Sequence, residues 1–190
     1  MKRLFAILLM ALPLPMAAQT PPQSTDGAAM AILTVVPDRL FEETEAGRTA
    51  TDRYQQASQA LLNENRGLEA ALATEERVLT EKRATLPVED FRRMADAFDD
   101  KAQQIRRDQD AKSLRITRQR DLDRQLFFQA ALPVLAGLMR EKRALVILDR
   151  SSVFLSFDVI DITDEAVVEL NNTLGDGTQV FQSAPETPAP

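Results

Sequence analysis

The chain has 190 residues, 44% of them hydrophobic and 27% charged, with a formal net charge of −6 and with no cysteine, histidine or tryptophan. Lacking cysteine, it has neither a disulfide to stabilise a secreted domain nor thiolate chemistry; lacking histidine, it is without the commonest general base and transition-metal ligand. The acidic balance argues against general nucleic-acid binding, and the chain reads as a non-enzyme that calls for no cofactor and no metal.

The first 20 residues, "MKRLFAILLMALPLPMAAQT", have a basic start (Lys2, Arg3), a short apolar run and the small residues Ala17 and Ala18. This pattern predicts a secretory signal peptide over residues 1–18, too short and wrongly flanked for a membrane span. Its removal takes two bases with it and moves the net charge from −6 to −8. Residues 19–30, which include "PPQSTDGAA", form a polar leader with the composition of a disordered segment.

"AILTVV", residues 31–36, is apolar and β-branched enough for a buried strand that Pro37 stops, and Asp38 could cap a following helix. From residue 42 to residue 85 there is no proline, and only Gly47 and Gly67 weaken a helix about 65 Å long. Its large apolar residues recur by sevens: Tyr54, Leu61 and Leu68 in one row, Leu72, Leu79 and Leu86 in another. That spacing suits a narrow seam against one other helix. Pro87 breaks the pattern and is acceptable in the first turn of a second helix, which runs from about residue 88 to residue 129 or beyond. Phe91, Phe98, Ile105 and Leu126 continue a heptad row that lapses at Lys112 and Gln119. A connection this short, near residues 85–90, makes the two helices an antiparallel hairpin.

"LFFQAALPVLAGLM", residues 126–139, is dense enough to re-enter a packed body, with Pro133 expected to kink or divide the helix. "ALVILD", residues 144–149, reads as a strand, and "SVFLSF", residues 152–157, as a second strand turning back on it. "DITDEAVVELNN" starts a helix at Asp161 or Thr163, and residues 173–190 read as a disordered tail. The fold class is therefore α+β. A small strand body is made of residues 31–41 and 132–172, capping helix included, and a long antiparallel helical hairpin, residues 42–131, projects from it. No internal repeat is convincing.

Three constellations could carry function. The apolar residues Leu72, Leu79, Leu86, Phe91, Met94 and Phe98 near the turn zip the hairpin together, and one side of them could also receive apolar segments of another protein. Residues 101–120 hold 7 bases against 2 acids. Of these bases, Arg106, Arg107, Lys112, Arg115 and Arg118 are candidates for contact with acidic clients or with lipid or lipopolysaccharide phosphates, or they are a solvated helix face. The acids Asp149, Asp158, Asp161, Asp164 and Glu165 lack the spacing of a calcium loop, and helix capping accounts for three of them.

The opening "AILTVVPDRLFEET" after a signal peptide and the closing "ALVILDRSSVFLSFDVIDITDEAVVELNN", with its Asp161-Ile162-Thr163 motif, resemble the Skp/OmpH family of periplasmic chaperones over most of residues 31–172. The resemblance implies a homotrimer whose strands share one body, with three hairpins projecting around a cavity. It further implies an ATP-independent holdase in the periplasm whose partners are unfolded outer-membrane β-barrel proteins. Independently, the predicted strands are too little sheet to bury themselves in one chain, so association through their edges is expected. The candidate oligomer residues are Ile32, Val35, Val146, Leu148, Val153 and Leu155. Well-known members of that family are basic, whereas this chain has a sequence pI near 4.8. A structural or adaptor protein of the envelope, docking its hairpin on a fixed partner, is the alternative.

Overall fold

A computed structural model describes residues 31–182. The predicted signal peptide, the leader 19–30 and residues 183–190 of the predicted tail lie outside the described residues. Strand β1, Ala31–Val35, leads into helix α1, Pro37–Glu43, where the missing N–H and fixed φ of Pro37 suit the first turn. Asp38 does not cap this helix; it pairs with Arg124 at 2.5 Å. The chain then turns a corner at Thr44, whose backbone is extended (φ −81°, ψ 153°). The buried Thr44 hydroxyl donates to the Leu40 carbonyl at 2.8 Å and accepts from the Gly47 amide at 3.3 Å, closing α1 and capping helix α2, Glu45–Lys82. Gly47 is thus no soft spot in a helix. A Cβ there would stand 1.6 Å from the Phe41 carbonyl oxygen, so only glycine lets α2 start against α1.

Helix α3, Val88–Glu141, returns antiparallel to α2 with Pro87 at its N-cap and Glu89 and Asp90 in its first turn, where the helix dipole favours acids. Pro133 does not divide it. The helix runs unbroken through that position, one backbone donor short, with Ala131, Val134 and Leu138 packed into the core on either side. Strand β2, Ala144–Asp149, then lies parallel to β1 with Ile32 opposite Val146 and Thr34 opposite Leu148, a pairing that needs the whole hairpin as its crossover.

The second predicted strand, residues 152–157, is absent. Residues 150–152 and 158–160 form 3₁₀ turns, and the stretch between them pairs with no strand among the described residues. Two features account for the difference. Arg150 pairs with both Asp158 (2.6 Å) and Asp161, so the segment between is held at both ends as a loop. The free edge of β1 is meanwhile taken: Thr34 bridges to Asp161, and the Ile162 amide donates to the Thr34 carbonyl at 2.9 Å. The Asp-Ile-Thr motif is therefore a staple. Asp161 accepts from the Thr163 amide at 2.9 Å and from its hydroxyl at 2.5 Å, while the same Thr163 oxygen accepts from the Val36 amide at 2.9 Å. Ile162 fills the core beneath.

Helix α4, Thr163–Leu174, closes the body, and its Asn171 side chain accepts from the Glu45 amide at 2.8 Å. The predicted tail begins later than expected. Gly175 and Gly177, both at positive φ, turn the chain into helix α5, Thr178–Gln182, which buries Phe181 in the core beneath the Arg53 guanidinium, 5.5 Å from the ring centre. Leu33, Val35, Leu40, Phe127, Leu138, Ile162, Leu170 and Phe181 make up most of that core, with alanines from α2, α3 and α4 where helices approach closely.

Candidate functional site

The arm is a two-helix seam. On α2 the half-buried positions include Leu61, Asn65, Leu68, Leu72, Glu75 and Leu79; on α3 they include Phe91, Ala95, Phe98, Ile105, Gln109, Lys112 and Ile116, with Ala102 buried among them. Both series alternate steps of three and four, the heptad spacing of a coiled coil. Three ion pairs cross between the helices: Arg53–Asp123 at 3.3 Å, Glu64–Lys112 and Glu75–Lys101, each eleven residues from the next on both helices. The equal spacing means the seam runs from root to tip without a slip of register.

Of the six predicted client-contact residues, Leu72, Leu79, Leu86, Phe91 and Phe98 are half-buried, and Met94 is exposed. The other large apolar side chains exposed on the arm are Leu62, Val78, Val88 and Leu114, which the seven-residue rows did not single out. They lie on several faces. The basic residues do not form one stripe either. At 100° per residue, Arg106, Arg107, Lys112, Arg115 and Arg118 spread around more than half of α3. Lys112 is engaged by Glu64 and Arg107 by Gln104, whereas Arg106, Arg115 and Arg118 have no carboxylate partner among the described residues.

At the root, α2 and α3 enter the body through a polar and aromatic cluster absent from the sequence reading. Asp123 is buried, 3.3 Å from Arg53 and accepting from Gln119 at 2.8 Å. Phe127 packs edge-on against Phe41 and Phe128, both at 5.2 Å, and Arg124 lies 4.9 Å above the Phe41 ring. A signal existed: Asp123, Phe127, Ala131, Val134 and Leu138 follow one helical face, which puts the acid on the buried stripe.

The most exposed large apolar side chains among the described residues lie in the body. Phe154 is 105% exposed, Leu155 85%, Phe157 85% and Val159 87%, all around the loop that Arg150 closes. Leu145, Leu148 and Ile32 are exposed on the sheet, and β2 has an unpaired outer edge among the described residues. Of the predicted oligomer residues, Ile32, Leu148 and Leu155 are exposed and Val146 and Val153 half-buried. Val35 is 5% exposed and packs in the chain's own core.

The five acids near this loop each have an internal partner. Asp149 accepts from the Ser151 amide, Asp158 and Asp161 hold Arg150, Asp164 holds Arg39 at 2.7 Å, and Glu165 holds Lys142 at 2.6 Å. Burial pushes the Asp161 carboxyl up, but the Thr163 hydroxyl and amide and the Arg150 guanidinium outweigh it and keep it below its ordinary range. No group of three or more potential metal ligands stands together among the described residues.

The family model for OmpH-like outer membrane proteins matches residues 31–170. No curated protein matches the chain. Among solved structures, a protein of Caulobacter crescentus CB15 described as an OmpH-like outer membrane chaperone shares 20% identity at a TM-score of 0.72, over 75% of this chain and 85% of that one.

Proposed function

The chain belongs to the OmpH-like family of outer membrane proteins, and from that premise we propose that it is a periplasmic holdase chaperone. It is exported by its signal peptide, assembles as a homotrimer and shields unfolded outer-membrane β-barrel proteins from aggregation without ATP. The observation that carries this reading is the construction of the arm. Its large exposed apolar residues, Leu62, Val78, Val88, Met94 and Leu114, are scattered over some 50 residues of rod instead of gathered in a pocket, and half-buried Leu72, Leu79, Phe91 and Phe98 show partial faces between them. Such a surface contacts many apolar segments weakly and none specifically, and three arms acting together convert weak contacts into retention. No helix among the described residues is long and apolar enough to cross a membrane.

Self-association has its own support. The open edge of β2 and the bare Phe154, Leu155 and Phe157 are surfaces that a single small chain exposes at risk of aggregation and an assembly covers. The test of the chaperone reading is light scattering from a urea-unfolded outer-membrane barrel protein diluted into buffer with a molar excess of the mature chain. Suppressed aggregation is the expected result; scattering equal to that without the chain overturns the holdase reading.

A further inference from the structure

Helix α5, Thr178–Gln182, lies beyond residues 31–170 that the family model matches, and its five residues are too few to be helical by themselves. It is anchored by one ring, Phe181, 5% exposed, with half-buried Val180 packed against the core beside it. Two glycines at positive φ, Gly175 (54°) and Gly177 (73°), link it to α4. The Gly177 amide donates to the Leu174 carbonyl at 3.0 Å, the Thr178 amide to the Asp176 carboxylate at 2.9 Å and the Phe181 amide to the Gly177 carbonyl at 3.1 Å. These bonds lie within the segment and its link, so the segment keeps them when it leaves the core. A short element held by one side chain opens locally at lower cost than the helices around it.

The place that Phe181 fills is built by the root of the arm. The Arg53 guanidinium of α2 stands 5.5 Å from the ring centre, and Asp123 of α3 holds that guanidinium at 3.3 Å. Ala46 and Ala50 of α2 are buried in the same cluster as Phe181, and α5 packs along α3. A cation fixed above small side chains receives the face of an aromatic ring, and the pair that fixes it, Arg53 with Asp123, does not involve α5.

We propose that this slot is a binding site for the aromatic side chain of a flexible polypeptide segment, and that α5 is its built-in plug. Phe181 fills the slot at rest and gives way to an incoming phenylalanine or tyrosine, one ring replacing another. On the holdase reading, on which only the identity of the incoming segment rests, that segment belongs to an unfolded client. The slot then adds one fixed point of attachment, at the root, to the scattered contacts along the arm.

The test uses a fluorescein-labelled peptide of glycine and serine with a central Val-Phe pair, and a counterpart with serine in place of the phenylalanine. In the full mature chain, Gly177→Ala places a Cβ 2.7 Å from the Ala46 Cβ at a φ of 73°, which unseats the plug without altering the slot. Phe181→Ser removes the plug's ring. Fluorescence anisotropy should show both variants binding the phenylalanine peptide at least roughly tenfold more tightly than the wild type, because the tethered competitor is gone, and none of the three retaining the serine peptide. The same affinity in wild type and both variants overturns the plug, and equal binding of the two peptides overturns the aromatic slot. Should the variants lose their helical signal in circular dichroism, hydrogen exchange of the wild type decides. The Phe181 amide is expected to exchange at least roughly tenfold faster than the Leu170 amide of α4, and equal protection of the two overturns the proposal. Neither measurement involves an aggregating client, so a failed plug and a failed holdase remain distinguishable.

Discussion

Replacing Phe154, Leu155 and Phe157 together by serine separates the stability of the chain from the stability of its assembly. In the single chain these side chains are 105%, 85% and 85% exposed, so truncating them uncovers no core, and the intrinsic fold should change by less than ~0.5 kcal/mol. In the proposed trimer the same residues are covered, and each full burial is worth about 1.5–3 kcal/mol. Three together amount to roughly 4.5–9 kcal/mol per copy, and at ~1.4 kcal/mol per tenfold this weakens association by about three to six orders of magnitude. Sedimentation velocity at micromolar concentration reads the assembly and far-ultraviolet circular dichroism reads the fold. The expected variant is helical and monomeric. A variant that still sediments as a trimer, or one that loses its helical signal at the concentration where the wild type folds, refutes the assignment of this loop to the interface.

Two further outcomes follow from the root and the staple. Arg53→Ala leaves the Asp123 carboxylate buried with only Gln119 as side-chain partner, and because Arg53 itself is half-exposed the cost should be about 2–3 kcal/mol, below the full penalty of breaking a buried pair; a urea midpoint equal to wild type contradicts it. Lowering pH should weaken the body through Asp161, whose folded pKa lies below its ordinary 3.8. A depressed carboxyl contributes its full stabilisation above the unfolded value and loses it as pH falls through the folded one, so midpoints should hold from pH ~6 to ~4.5 and drop below ~4. Asp161→Asn should remove part of that drop, and an unchanged acid slope counts against the staple.

The arm was legible because its signals are local and repeated: seven-residue apolar spacing, absence of proline over 44 residues, and Pro87 at the single break. The parallel partner strands were legible as apolar runs stopped by turn residues. The loop at residues 152–157 was not, since "SVFLSF" has the composition of a strand and only tertiary facts forbid it. The neighbouring edge of β1 is occupied by Asp161 and Ile162, and Arg150 ties the segment off at both ends. The same limit hid the Thr44 corner, where helix-forming residues continue on both sides and the break is imposed by the approach of α2 to Phe41. Phe181 was hidden by company: one aromatic residue among glycine, serine and proline reads as tail until Gly175 and Gly177 turn it back into the core.

The placement of charge bears on how such an arm would hold its clients. Lys101 and Lys112, two of the 7 bases in the basic stretch, are consumed by the cross-helix pairs, and the free arginines face different directions in a chain of net charge −6. At physiological ionic strength, charges more than about 8 Å apart are largely screened from one another. A client approaching the arm therefore meets one neighbouring pair, Arg115 and Arg118, three residues apart on α3, and a separate Arg106 on another side of it, instead of a coherent positive field, and electrostatic attraction contributes little to its retention. Retention must then come from the scattered apolar residues. Suppression of aggregation should accordingly persist at salt concentrations that would release a client from a basic cavity. A steep loss of suppression with added salt would mean that Arg106, Arg115 and Arg118 act together despite their spread around α3.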